Sequence, residues 1–440
     1  LTLAMAWCEP RHALLALLGS VTLLGPIAAS AQGWMTIEDA VLLFRRRGFD
    51  LLLADLAIEW ARAERTQAAA VANPQLDGGL GRSFGYDPRK CLTPGCSATA
   101  WSAGLSEQGA LFDALVGKRG LRIRGAEAAL GAAAADRRDV QRTLEPEVRR
   151  QYLEAVYAGD ALELATVVAA SYARTLELNR VRWRAGAIAE TEVLRVEVAA
   201  LEAQQETERA AQAVDEARAQ LGFLLGFRGR VPDLRLQPDL PAFVVPRAVA
   251  SIDGDALAQR ALALRPDVAS ARHQRDQAAA QLRLAERLRV PDIELSLRGT
   301  GQGTGQSAIT PPTLTFNLSL APPLFYQHQG EIAAARADLR TQEVALARVE
   351  AQVLADVTTA VAALRFARRR VERMQTALLE RARRARDLVL FQYEKGAAPL
   401  LEYLDAERTY FADRQEHLRD LTDYWIAFYA LEAAVGETLR

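Results

Sequence analysis

Between Gly330 and Tyr393 the apolar residues Leu346, Val349, Val353, Val357, Val361, Leu364, Val371, Met374 and Leu378 step by threes, fours and one seven. Their mean spacing lies near the ~3.5 of a coiled-coil seam. No proline falls in this stretch. The pattern predicts one helix approaching ~95 Å at ~1.5 Å per residue. A turn at Tyr393-Glu394-Lys395-Gly396 follows, and a second helix returns to Gly436. A rod of that length needs neighbours along all of it.

The same logic divides the rest of the chain. Thr36 to Ala72 reads as helix, with Thr36 as cap and Asp39 three residues on; Asn73-Pro74 stops it. Leu76, Leu80, Phe84 and Tyr86 then alternate with Gln75, Asp77, Gly79, Gly81 and Ser83. After a loop holding Cys91 and Cys96, Thr99, Trp101, Ala103 and Leu105 share a face. Residues 74–106 thus predict a β-hairpin. Helix resumes near Phe112 or Gly117 and runs to Trp183, with an interruption and kink expected at Glu145-Pro146. Arg184-Ala185-Gly186 turns the chain, and a helix from Glu190 to Leu225 ends at Gly226.

A proline-rich connector spans 227–252, and 253–440 then repeats 32–226. Asp50 and Pro74 recur as Asp267 and Pro291; Gly186 and Gly226 recur as Gly396 and Gly436; Leu194 and Glu197 recur as Leu404 and Glu407. The second hairpin, about 291–321, sets Ile293, Leu295 and Leu297 against Leu314, Phe316, Leu318 and Leu320. The helix-to-helix turn of the second repeat falls at 394–397, as that of the first falls at 184–187.

Composition narrows the class. Half the residues are apolar but only 7% are aromatic, which suits long helices. The 54 basic and 55 acidic residues nearly cancel, so nothing favours nucleic acid as a partner. Residues 1–31 read as a secretory signal: Arg11-His12, an apolar run, then Ala29-Ser30-Ala31. The alternative is a buried first helix. Beyond it no apolar run reaches the ~20 residues of a spanning helix. Four strands of roughly ten residues, apolar on one face, match transmembrane β-strands. Four cannot close a barrel, so several chains must share one. The alternative is a small soluble sheet covered by helices. The expected fold class is mainly α with a small β part: a long helical barrel plus four membrane strands per chain.

Asn73-Pro74-Gln75-Leu76, Gly117-Lys118-Arg119, Arg265-Pro266-Asp267-Val268, Pro291-Asp292-Ile293-Glu294-Leu295, Pro322-Pro323-Leu324-Phe325, Leu404-Asp405-Ala406-Glu407 and Asp423-Tyr424-Trp425 occur in this order. In that order, over some 400 residues, the chain resembles the TolC-type outer membrane efflux proteins, in particular their heavy-metal and multidrug branch. The resemblance implies a homotrimer with a twelve-stranded barrel in outer membrane lipid and a periplasmic helical tunnel. It also implies docking to a periplasmic adaptor and an inner-membrane pump, commonly of the resistance-nodulation-division type. The competing class is a periplasmic adaptor or coiled-coil scaffold. No phosphate loop, His-Glu-x-x-His or Gly-x-Ser-x-Gly motif argues for an enzyme or cofactor.

Glu402 and Asp405 stand three apart past the second turn and share a helix face. In the resemblance they fall on an acidic ring that narrows the periplasmic entrance; as ordinary helix charges they would simply be solvated. Arg184, Gly186, Lys395 and Gly396 form the turns that would face the adaptor, although Ala189 and Pro399 replace the small hydroxyl residue common there. In an exported chain Cys91 and Cys96 suit a disulfide; a metal pair is the alternative, without nearby His or further Cys. Trp101, Phe84 and Tyr86 suit an aromatic girdle or plain packing. Arg368-Arg369-Arg370 and Arg381 to Arg386 read as solvated faces with Glu372, Glu380 and Asp387 as partners. His273, His328 and His417 are too dispersed in sequence to suggest a metal.

Overall fold

The computed structural model describes residues 34–82, 84, 87, 89, 98–229, 231, 234–301 and 313–439. Met35–Arg440 form one compact unit. The expected signal segment, Tyr86, Cys91 and Cys96 lie outside the described residues.

Helix α1 (Ile37–Arg47) starts at Thr36 with a reciprocal cap: Asp39 N–H donates to Thr36 Oγ1 at 3.2 Å, and Thr36 N–H donates to the Asp39 carboxylate at 3.0 Å. The single helix predicted to Ala72 is two. Gly48 has an extended ψ of 125°, and the Phe44 ring folds to 2.6 Å from where a β-carbon would stand. Helix α2 (Phe49–Ala69) then stops three residues early, with Ala70 already extended.

The predicted hairpins form. Strands β1 (Gln75–Arg82) and β2 (Thr99–Glu107) pair antiparallel, as do β3 (Ile293–Gly301) and β4 (Thr313–Leu320). β1 ends at Arg82, and the predicted Phe84 lies in a turn beyond it. The hairpins are also joined: β2 pairs with β3, giving one sheet of order β1-β2-β3-β4. Leu76, Leu105, Leu297 and Phe316 make one cross-strand row. The adjacent row, on the opposite face, is Asp77, Gly104, Arg298 and Thr315. A slip of one residue would exchange the two faces.

From the sheet the chain runs through the short helix α3 (Ala110–Val116) into α4 (Lys118–Arg184). At 67 residues α4 is about 100 Å long. It continues through Pro146 instead of being interrupted there. Packing holds it: Glu145 accepts two bonds from Arg45, at 2.6 and 2.9 Å, and Val148 is fully buried. The return helix is α5 (Glu190–Leu224). The connector holds the short α6 (Arg247–Ala250); after it come α7 (Gly254–Leu264) and α8 (Pro266–Arg287), then the second hairpin.

The second rod is α9 (Gln329–Arg373), a π-turn over Met374–Leu378, and α10 (Leu379–Glu394); α11 (Leu400–Val435) returns. The predicted seam from Val353 to Met374 is buried, but Leu378 is exposed. The π-turn adds a residue to one turn and shifts the helical phase by about 100°. Val389, Leu390 and Tyr393 carry the seam onward.

The largest core lies midway along the rods. Val148, Leu153, Leu221, Val357, Leu364, Phe428 and Leu431 meet there with residues of α1, α7 and the connector. Polar tips of core aromatics pin the connector. Tyr424 donates to Val244 O at 2.9 Å, Trp425 to Pro241 O at 3.0 Å, and Tyr152 to Met35 O at 2.7 Å. Met35 and Leu236 form a parallel bridge. Leu240 N–H donates to Asp160 at 3.2 Å.

Burial pushes the Asp160 carboxyl up to about 6, with Asp239 and Glu163 adding to the rise against the Leu240 hydrogen bond. A raised acid stabilises the fold when protonated. That contribution is full below the ordinary value of 3.8 and is lost as pH rises through about 6. Asp160→Asn stays neutral throughout. It should weaken the decline in melting temperature between pH 5 and pH 7.5, and raise the pH 7.5 melt by about 2 °C. Thermal melts at both pH values check this.

Candidate functional site

Two regions concentrate unsatisfied chemistry: the sheet and the paired helix turns at the far ends of the rods. On the sheet, Leu76, Leu80, Leu314, Phe316 and Leu318 all stand on the apolar face. Leu80 is 91% exposed and Phe316 66%, so no described residue covers them. Trp101 lies on it against Gly299 and Gly301. The polar face carries Asp77, Ser102, Ser106, Glu294, Ser296, Arg298, Thr300, Thr315, Asn317 and Ser319. Arg298 reaches Asp77 at 3.1 Å across the intervening β2. Gly104 makes that contact possible, since a β-carbon there would sit 2.4 Å from the Asp77 carboxylate. The outer edges of β1 and β4 have no strand beside them among the described residues.

The two turns are copies of one another. Gly186 and Gly396 both have φ of 74°, a left-handed backbone that glycine adopts without strain. Ala187 N–H donates to Arg182 O at 2.9 Å and Ala397 N–H to Gln392 O at 2.8 Å, closing each helix with the same motif. Arg184 and Lys395 are exposed beside these glycines. The turns also touch: the Arg182 guanidinium lies 4.9 Å from the Tyr393 ring centre and donates to Glu394 O at 3.4 Å. Ala189 and Pro399 occupy the N-cap positions of α5 and α11, and neither return helix has a side-chain cap.

Behind the turns lies a buried polar ladder that sequence reasoning missed. Tyr393 donates to Asn179 Oδ1 at 2.8 Å, and Asn179 Nδ2 donates to Thr175 O at 2.8 Å. Thr175 Oγ1 meets the Tyr403 hydroxyl at 3.4 Å, and Ser171 donates to Glu407 at 2.5 Å. The Tyr393 and Tyr403 rings stack at 5.1 Å and 6°. Burial, foremost, pushes the Tyr403 hydroxyl up to about 12, with Glu407 contributing. The signal was present as Ser171, Thr175 and Asn179, spaced by four on one helix face.

Glu402 and Asp405 are exposed on α11. At ~100° per residue they fall on the side away from Tyr403 and Glu407. Neither makes an ion pair among the described residues. The basic runs do find the expected partners: Arg368 pairs with Glu372 at 2.7 Å, Arg383 with Glu380 at 3.2 Å and Arg386 with Asp387 at 2.9 Å. Arg370 instead reaches α11, at Glu416, Asp420 and Asp423. His273 lies on α8, His328 caps α9 and His417 lies on α11. Among the described residues no group of three or more His, Cys, Asp or Glu is placed to hold a metal. No described helix is long and apolar enough to cross a membrane.

Asn179 is fully buried and joins α4 to α10. Asn179→Ala leaves the Tyr393 hydroxyl without its acceptor, at a cost of about 1–3 kcal/mol. Hydrogen exchange should speed up in residues 175–200 and 385–405 while the central core stays protected; unchanged exchange at the turns would refute the ladder's role.

Comparison with known proteins fits this geometry. The outer membrane efflux protein family matches residues 43–227 and 257–437. Protein CyaE of Bordetella pertussis is 29% identical over 404 residues, covering 88% of this chain and 83% of its own. The cobalt-zinc-cadmium resistance protein CzcC of Cupriavidus metallidurans is 24% identical, covering 99% of this chain and 98% of its own. The crystal structure of the transmembrane channel CusC superimposes with a TM-score of 0.75 at 20% identity, over 91% of this chain and 92% of that one. With both repeats matched, the chain belongs to the outer membrane efflux protein family and is an outer membrane channel protein of tripartite efflux systems.

Proposed function

We propose that three copies of this chain share one twelve-stranded barrel in the outer membrane and continue it as a twelve-helix tunnel into the periplasm. The sheet carries this reading. Among the described residues it has an uncovered apolar face, a polar face and two unpaired edges. Each unpaired backbone group in lipid costs several kcal/mol, so an edge must find a strand. β4 and β1 run in opposite directions, so β4 of one protomer can pair antiparallel with β1 of the next. Exposed seams on the rods, such as Leu194, Val198 and Leu201 on α5, support helix packing between protomers.

In this assembly the paired turns, with Arg184, Gly186, Lys395 and Gly396, face a periplasmic adaptor. The adaptor couples the conduit to an inner-membrane pump of the resistance-nodulation-division type. The conduit is passive and performs no catalysis. The pump chooses the substrate, whether metal ion or small organic molecule. The β1–β2 loop faces the cell exterior, where Cys91 and Cys96 form a disulfide. A maleimide probe should label them only after reduction; labelling of both without reductant would rule the bridge out.

Glu402 and Asp405 ring the entrance with six carboxylates. Such a ring favours cations. Purified protein should form heat-resistant trimers in detergent and conduct in planar bilayers. Glu402→Gln with Asp405→Asn should lower the potassium-to-chloride permeability ratio several-fold. An unchanged ratio would remove these residues from the entrance, whereas a monomer soluble without detergent would reject the channel assembly itself.

A further inference from the structure

The polar face of the sheet carries three charged residues in its described strands: Asp77, Glu294 and Arg298. Asp77 and Arg298 are paired across Gly104. Glu294 makes no ion pair among the described residues. We propose that the Arg298–Asp77 pair holds the charge of the barrel lumen in balance and leaves Glu294 to set its ion preference, a selectivity element separate from the entrance. This rests on the trimeric channel reading.

The geometry orients the pair. The opposite face presents Leu76, Leu80, Leu297, Leu314, Phe316 and Leu318, which suit lipid. A charged pair in mid-strand therefore belongs to the lumen, where its side chains remain about half-exposed, 53% for Arg298 and 44% for Asp77. Twelve strands ~4.8 Å apart and tilted ~40° enclose a backbone radius of about 12 Å. A side chain projecting from that wall lies within roughly one Debye length of the axis at 0.1 M salt, where that length is about 10 Å. At 1 M it falls to about 3 Å, and the axis no longer feels the wall.

Within the described strands three Arg298 residues and three Asp77 residues cancel, leaving one Glu294 per protomer as the net charge of the polar face. The lumen therefore prefers cationic solutes, as the entrance does. Removing either partner of the pair exposes the other. Without Asp77, three arginines outweigh nothing but the Glu294 ring, and cation preference is erased. Without Arg298, the acidic charge of the lumen doubles.

The test uses full-length trimers with Glu402→Gln and Asp405→Asn, so that the entrance does not dominate, and reads reversal potentials in planar bilayers. At 0.1 M KCl, Asp77→Asn should lower the potassium-to-chloride ratio by about two- to five-fold and Arg298→Gln should raise it by a similar factor. The double variant should return to the background value, and all differences should vanish at 1 M KCl. If the single variants conduct normally with unchanged ratios at 0.1 M, the proposal is wrong and the pair is only a strap between strands, visible as a lower trimer dissociation temperature. If Arg298→Gln fails to assemble, Asp77→Asn and Arg298→Lys decide: Arg298→Lys should keep the background ratio. Absence of trimers and of conductance in the unsubstituted chain would instead overturn the channel reading on which this depends.

Discussion

A β-sheet that enters lipid cannot leave its edge groups bare. In water an unpaired N–H or C=O finds solvent; in hydrocarbon it finds nothing, and the penalty recurs along the whole strand. Among the described residues this chain makes one sheet of four strands with both edges open and an apolar face uncovered. It is therefore incomplete alone. The need to close that sheet is the ground for the proposed self-association, and it fits the alternation of residues on the strands and helical rods that start beside the sheet at Lys118 and Gln329.

The rods solve a different problem. A helix satisfies its own backbone, so it can run far without lateral hydrogen bonds, but its apolar stripe needs cover along its length. The chain supplies part of that cover itself. Its core gathers midway, where the connector is tied to Tyr152, Tyr424 and Trp425. Towards the turns the internal packing thins to a small cluster around Tyr393 and Tyr403, and the polar ladder takes over the work of joining the two helical hairpins. A region held by a few directional bonds rather than a broad apolar core is where stability is expected to be lowest.

Much of this was legible in the sequence because period and punctuation agree. Strand alternation gave the two faces of the sheet. Gly186 and Gly396 marked turns whose hydrogen bonds coincide, and the doubled pattern ordered the halves. What was not legible depended on contacts distant in sequence. Gly48 breaks a helix because Phe44 folds over it. Pro146 does not break one, because the Arg45–Glu145 pair and buried neighbours hold its flanks. The π-turn at Met374 altered a phase that periodicity had assumed constant. The β2–β3 pairing and the Asp77–Arg298 contact join residues from opposite halves, and no local pattern shows them. Glu402 and Asp405 were found as a motif, but the ladder behind them, spread over three helices, was not.

Closure of the sheet between chains can be measured directly with cysteine pairs. With Cys91 and Cys96 replaced by serine, one cysteine is placed on β1 at Gly79 or Gly81 and one on β4 at Thr313, Thr315 or Asn317. Within a chain the two strands lie three spacings apart, about 14 Å, whereas a disulfide needs Cα atoms within about 7 Å. Oxidation in outer membranes should yield a ladder of covalent dimers and trimers from the pairs in register. Monomers from every pair would contradict the account.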